Sequence, residues 1–565
     1  MTKRIKSVRH LWPYFLIGAV ALLSHGLLLL NDGTYWDGWL LKSYLDESNW
    51  NELHKWATEA GLPGMDYFYW GLKLTGLFAF YKVIAFLLIL FSAILVYRLI
   101  LQFNWLNRFE ALGIATLSLV YPAYQTTIEL STFRYLFFYC LFLLAALLLV
   151  HAERTIDSAK PGLLLRLLSL ILFFASFSLN SLLVFYFSFL LLLFLNIRQT
   201  KALSWSDIAR TQVLRRMDLL LLPILYWAIK KIFFPTHGPY AGYNSLNLDP
   251  TSVLSHFGGF MQTAIYGQVD ASLMKLIGQP LAWALFLACV YWAYSRFRNS
   301  ASEILLTHHQ VEQESRRSKW FFVFGIILLI SGIFPYAAVG LSPSISGWNT
   351  RHALLVGLPM ALLIVVALRP IWVGGLYDDG THVGGGGRLI SVLIGASLLL
   401  AFTLSTIDYY VGWQVRAIKD RAIMTDLTET PILKKFSVFW IDDQFPAGGE
   451  RLYRFYEWSS MFKQIWGGES RIGLQLQGYN QASLFGLKQY YNKSTNLSEF
   501  DPSGCQVGLT ITRGLLRYSQ RELVWQYFIH RFLKRAQLVD FLHGVVHLDV
   551  QIPQNTDERC KVNLP

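Results

Sequence analysis

The run Leu11-Trp12-Pro13-Tyr14-Phe15-Leu16-Ile17-Gly18-Ala19-Val20-Ala21-Leu22-Leu23-Ser24-His25-Gly26-Leu27-Leu28-Leu29-Leu30 passes directly into Asn31-Asp32-Gly33-Thr34-Tyr35-Trp36-Asp37-Gly38-Trp39. The apolar part is long enough to cross a hydrocarbon core about 30 Å thick. Two acids then follow among glycines and aromatic rings. A carboxylate at a bilayer surface is expensive unless it is solvated, paired or used. Asp32 and Asp37 therefore either end a helix and solvate its loop, or build a site at the membrane face. No A-x-A cleavage pattern follows the run, so it is expected to stay as a helix rather than leave as a signal peptide.

Of the 565 residues, 54% are hydrophobic and only 15% are charged, against about 25% charged in soluble domains. Apolar segments recur at 12–30, 78–99, 110–123, 134–151, 163–179, 181–197, 218–234, 280–295, 320–340, 353–368 and 389–407. The expectation is a polytopic α-helical membrane protein of about eleven transmembrane helices. The odd number places the two termini on opposite sides.

One set of short loops is rich in bases: Lys3, Arg4, Lys6 and Arg9, then Arg98 and Arg108, then Arg154, Lys160 and Arg166, and later Arg198 to Arg216 and Arg296 to Lys319. The alternate loops are poor in them. The positive-inside rule then sets the N-terminus in the cytoplasm and the acids outside. The net charge of +13 expresses this bias; no basic stripe on a soluble fold suggests nucleic acid.

From Gly412 the apolar runs stop. Residues 1–411 read as the transmembrane domain, and 412–565 as a small α/β domain outside the membrane. Phe436 to Ile441 and Gln506 to Ile511 read as strands, and 519–539 as an amphipathic helix. Cys140 and Cys289 lie within spans. Cys505 and Cys560 share the outer domain, where an oxidising compartment permits a disulfide, although spacing alone does not give their separation.

Two outer loops are long. Loop 31–77 carries Trp36, Trp39, Trp50, Trp56 and Trp70, and its pattern suggests helices lying in the membrane interface. Loop 235–279 opens with His237, Tyr240 and Tyr243. Together they could roof a cavity. Near the same face lie Glu129 and Arg134 beside the fourth span, Asn180 in a tight turn, Lys230 and Lys231 ending the seventh span, and Arg351-His352 opening the tenth. A lysine there also reads as snorkelling to the interface. An arginine beside a histidine is a seat for a phosphate.

Other features are bland. Gly384 to Gly387 lack the Lys-Ser/Thr of a phosphate loop and read as a linker. His308-His309 has no metal-ligand spacing near it, and Asp442-Asp443 reads as a solvated loop end. No HExxH, CxxC, GxSxG or nucleotide fingerprint occurs.

The inside N-terminus, first-loop acids, second long outer loop and outer C-terminal domain together resemble the GT-C superfamily of integral-membrane glycosyltransferases. The form Asp32-Gly33-Thr34-Tyr35-Trp36-Asp37 departs from the adjacent acid pair of many members. The resemblance implies a sugar donor linked to polyprenyl phosphate and an acceptor that is a cell-envelope glycan, lipid or protein. It implies a first-loop acid as general base, with Asp37 the first choice and Asp32 the second. It also implies bases that hold the donor phosphate, here Arg351 and His352, then Arg134, Lys230 and Lys231. Glu129, Asn180, His237, Tyr240 and Tyr243 would complete the cavity. The two acids leave room for a divalent cation, with no further ligand cluster evident. The expected location is the bacterial cytoplasmic membrane, multi-pass, with membrane lipids as partners. Rival readings are a transporter or flippase of lipid-linked glycans, another surface enzyme such as an O-antigen ligase, polymerase or acyltransferase, and a structural subunit. An acyltransferase would want a histidine-centred site, for which His25 and His237 are the candidates.

Overall fold

A computed structural model describes residues 2–103, 105–155, 159–201, 204–242, 244–297, 308–374, 385–445, 452–467, 471–480, 483–484, 486–487 and 504–551. The chain is a mostly helical membrane protein with a small sheet near its C-terminus. Among the described residues five helices are long and apolar enough to cross a membrane: Leu77–Phe103, Phe133–Arg154, Ser181–Gln199, Lys319–Ala337 and Gly387–Glu429. A sixth arises if Pro250–Ile277 and Pro280–Trp292, bent by 93° at their junction, form one broken span. Leu11–His25, Gly162–Ser176 and Gly357–Ile371 are apolar but shorter. At 1.5 Å per residue such pieces fall below about 30 Å, so length and composition identify five or six spans where eleven apolar segments were expected.

The first helix, Thr2–His25, carries Pro13 within it. After Gly26 the turn Leu27–Leu30 ends at an extended Asn31. Asn31 is buried and donates to Tyr35 Oη (2.8 Å) and Gln414 Oε1 (2.8 Å). From below, Lys82 donates to Asn31 Oδ1 (2.6 Å) and to the Gly33 carbonyl (2.5 Å). Residues 31–36 thus form a hydrogen-bonded knot rather than a slack loop, as buried polar groups require.

Three short helices follow, Asp37–Asp46, Trp50–Glu59 and Met65–Leu74. Their apolar faces pack together. Leu41, Tyr44 and Leu45 pack on Leu53, Ala57, Met65, Tyr69 and Leu130, giving the loop its own small core.

The helix Gly385–Glu429 is continuous through position 412, where the apolar pattern stops. Gly385 to Gly387 are its first residues, and Gly384 lies outside the described ones. Its second half, with Val415, Ile418, Ala422, Ile423 and Leu427, enters the core of the sheet domain. Membrane bundle and sheet domain therefore share one rod.

The sheet has strands β1 (Val438–Asp443), β2 (Ile472–Gln475), β3 (Gln506–Arg513) and β4 (Val546–Gln551) in the order β2-β1-β3-β4. β1 runs parallel to β2 and β3, and β4 is antiparallel to β3. Helix Phe455–Trp466 makes the β1-to-β2 crossover, as parallel neighbours demand. The expected helix over 519–539 is Gln520–Phe532, capped by Ser519, and the chain turns again before Leu538–His543. Cys505 is disulfide-bonded; Cys560 lies outside the described residues.

Buried charges fasten rod to sheet domain. Arg416 pairs with Glu457 at 2.8 Å, both side chains almost wholly buried, and Lys419 pairs with Asp443 at 2.5 Å. Tyr453 donates to Asp420. Removing one partner of such a pair strands the other charge. Arg416→Met is expected to destabilise the sheet domain by about 3–5 kcal/mol, with Arg416→Met/Glu457→Gln recovering much of the loss. Urea denaturation of the purified chain checks this, and equal midpoints for the single and double variants would contradict it.

Candidate functional site

Trp36 fixes the geometry. It is fully buried, and its ring meets Trp413 edge-on at 4.5 Å and Trp348 at 5.0 Å. Its backbone lies at φ 45°, ψ −128°, a conformation an L side chain adopts only when its surroundings enforce it. The next residue, Asp37, opens helix Asp37–Asp46, where the helix dipole favours a negative charge. Tyr456, from the sheet domain, donates its hydroxyl to Asp37 Oδ1.

Gly38 lets a third acid approach. A Cβ there would stand 3.0 Å from Glu129 Oε1 and 3.3 Å from Leu130 Cβ. Glu129 is fully buried in the connection between helices Arg108–Val120 and Phe133–Thr155. Its Oε2 accepts from Ser131 Oγ and Thr132 N, each at 2.7 Å. Its Oε1 is buried without a hydrogen-bond partner among the described residues. Burial first, and then the charge on Asp37, push the Glu129 carboxyl up to about 7. A carboxyl in this environment exchanges its proton near neutrality.

Asp32 has different surroundings. Its Oδ2 meets Arg421 at 2.6 Å, Arg531 at 3.0 Å and the Tyr527 hydroxyl at 2.7 Å. Gln414 approaches Oδ1 at 3.5 Å. The geometry is that of a tie between the first loop, the long helix and the sheet domain. An acid so engaged is poorly placed to accept a substrate proton.

The expected cations separate into two groups. Arg351 stacks on the Trp348 ring at 4.2 Å, so a single ring lies between its guanidinium and Trp36. Arg134 lies over Tyr135 at 5.2 Å, with its Nε buried and unpartnered among the described residues. It is near enough to Lys230 to act on it electrostatically, and Lys230 donates to Asn180 Oδ1 at 2.8 Å. Among the described residues no carboxylate forms an ion pair with Arg134, Lys230 or Arg351. Lys231 instead sits on the exposed side of its helix, against Trp227 at 4.9 Å. His352 turns inward, its ring 5.2 Å from Tyr336 and its Nδ1 3.3 Å from the Ser342 carbonyl. Burial, and then Arg351, lower its pKa to about 3. It is therefore neutral at physiological pH and adds no positive charge beside Arg351.

The two long loops do meet. Trp56 Nε1 donates to the Tyr240 hydroxyl at 2.8 Å, and the His237 amide donates to the Glu59 carbonyl at 3.0 Å. His237 itself is exposed; Tyr243 lies outside the described residues. A cavity of about 80 Å³ lies deeper in the bundle, walled by His25, Tyr121, Gln125, Thr127 and Tyr410 among others. His25 is engaged there by Tyr410 Oη (2.8 Å) and the Leu119 carbonyl (3.0 Å). Asp37, Arg134, Lys230 and Arg351 are not in its walls; ring contacts connect Arg351 to the residue before Asp37.

Tyr456, Tyr527, Arg421 and Arg531 escape sequence reasoning. Tyr456 is 419 positions from Asp37, and Tyr527 is 495 from Asp32. No local spacing could have connected them. Among the described residues no group of three or more His, Cys, Asp or Glu side chains is placed to hold a metal ion. No family model matches the chain, and neither a curated protein nor a solved structure matches it.

Glu129 yields a pH prediction. Its pKa is raised on folding from 4.5 to about 7, so the folded chain binds more protons between those values and stability falls as pH rises through them. The penalty is complete above about 7 and absent below 4.5. Glu129→Gln keeps an acceptor for Ser131 and Thr132 but cannot ionise. Its thermal midpoint is expected to exceed the parent's by more at pH 8 than at pH 5, read by intrinsic fluorescence; a constant difference would contradict this.

Proposed function

We propose that the chain is a membrane glycosyltransferase of the GT-C kind, which transfers a sugar from a polyprenyl-phosphate donor to an acceptor at the outer face of the membrane. The observation that carries this reading is the approach of the buried Glu129 carboxyl to the helix start at Asp37 and Gly38, close enough to feel the charge on Asp37, with Arg351 stacked on the ring that meets Trp36. In this reading the N-terminus is cytoplasmic, the sheet domain lies outside, and the shorter apolar helices complete eleven crossings.

An acceptor hydroxyl is a poor nucleophile until a positioned base takes its proton as the new bond forms. Asp37 is that base. Its backbone is fixed by Trp36, and Glu129 stands near enough to act on it electrostatically. As the acceptor oxygen bonds to the anomeric carbon, the bond to the phosphate oxygen breaks and its electron pair leaves with the phosphate. That developing charge needs donors already in place, a role suited to Arg351, Arg134 and Lys230. Asp32 holds the loop. The lipid tail would lie against the apolar helices, with the acceptor entering from the side of the sheet domain.

The test uses the purified full-length chain in detergent, with a panel of ¹⁴C-labelled undecaprenyl-phosphate hexoses as probes. Asp37→Asn should reduce sugar release by about 10²- to 10⁴-fold while leaving the thermal midpoint in place. Arg351→Ala should raise the donor KM about 10- to 100-fold, the worth of a charged hydrogen bond. Full activity of Asp37→Asn would refute the assigned base, and an unchanged donor KM would remove Arg351 from the phosphate seat.

A further inference from the structure

Tyr456 touches Asp37 from another domain, and its helix is held at several points. Helix Phe455–Trp466 lies along helix Asp37–Asp46 and meets it at both ends. Tyr456 donates to Asp37 at the first turn, and Lys463 Nζ lies 2.5 Å from Glu47, the C-cap. The neighbour of Tyr456, Glu457, is buried against Arg416. The Arg416 guanidinium lies 6.0 Å from the Trp36 ring and 4.3 Å from the Tyr453 ring. Behind the helix, β2 packs so closely that a Cβ on Gly473 would fall 2.4 Å from Trp458 Cβ. The residue before Asp37 and the hydroxyl on Asp37 are thus braced by one packed unit.

An aspartate carboxyl has a broad, two-fold terminal torsion. A fixed backbone at Trp36 places its Cα, and the groups that meet its oxygens set the plane of the carboxyl. The Tyr456 hydroxyl on Oδ1 is one of them.

Resting on the assignment of Asp37 as base, we propose that Tyr456 is a positioning residue for that carboxylate, and that the sheet domain is part of the reaction site. The acceptor proton is taken by an oxygen whose direction is set from the far end of the chain. Tyr456 itself gives up no proton, and no bond to it forms or breaks.

The experiment compares Tyr456→Phe, Lys463→Ala and Asp37→Asn in the full-length chain with the same labelled donors. Tyr456→Phe keeps the ring and loses only the hydroxyl. The expected result is a kcat lower by about 10- to 100-fold, the effect of a small misplacement, with donor KM and thermal midpoint unchanged. Lys463→Ala loosens the same helix at its other end and should leave kcat within about two-fold, as an exposed pair contributes little. Incorporating 4-aminophenylalanine at position 456 returns an N–H donor and should recover most of kcat, also if Tyr456→Phe proves less stable. Wild-type kcat in Tyr456→Phe beside an inactive Asp37→Asn overturns the positioning role and leaves the base standing. Equal losses in Tyr456→Phe and Lys463→Ala, or no recovery with the amino analogue, would reduce Tyr456 to a docking contact. An active Asp37→Asn removes the base, and the positioning role with it.

Discussion

Arg421 and Arg531 close on the Asp32 carboxylate at 2.6 and 3.0 Å, and Tyr527 adds its hydroxyl at 2.7 Å. Charge-assisted bonds of this kind are shorter and stronger than neutral ones. The acid is largely shielded from water, so screening weakens the contact less than it would on an open surface. One guanidinium comes from the rod that leaves the membrane and the other from the last long helix of the sheet domain. With Lys82 holding Asn31 and Gly33 from below, residues 31–36 have little freedom left. Trp36 can then be kept at a positive φ, and Asp37 begins its helix at a defined point.

Three acids in this region meet three environments. Asp32 is neutralised by two cations and acts as a tie. Asp37 sits at a helix N-terminus with a tyrosine hydroxyl on one oxygen. Glu129 is fully buried, with Ser131 and Thr132 on one oxygen and the other unpartnered among the described residues, and its proton affinity rises accordingly. Chemically similar side chains diverge because desolvation, neighbouring charge and hydrogen bonding act on each in different proportion. The glycine at position 38 lets Glu129 approach the start of the helix that Asp37 opens, since a side chain there would crowd the Glu129 carboxyl.

The same division applies to the cations. Among the described residues, the guanidinium of Arg416 is used in holding the two domains together, as are the amine of Lys419 and the guanidiniums of Arg421 and Arg531. Among those residues Arg134, Lys230 and Arg351 form no ion pair with an acid; Arg134 and Arg351 lie over aromatic rings, and Lys230 donates to Asn180. Keeping cations uncompensated near a membrane is expensive, and in a chain with 36 acids available their isolation is a property of placement.

Composition and apolar periodicity determined that this is a helical membrane protein with a terminal α/β domain, because hydrocarbon thickness and strand alternation leave marks that need no partner. Of the eleven expected spans, helix length and composition identify five or six, since apolar helices such as Leu11–His25 and Gly357–Ile371 are shorter. The sequence also singled out Asp37, Glu129 and Arg351, since unusual charges beside spans stand out locally. It could not separate Asp32 from Asp37, or Arg351 from His352. What distinguishes them is the company each keeps, and that company arrives from hundreds of residues away. Only the tertiary structure decided which acid is tied, which histidine is buried neutral, and that Tyr456 touches Asp37, because desolvation and hydrogen bonding depend on neighbours in space and leave no trace in the order of the residues.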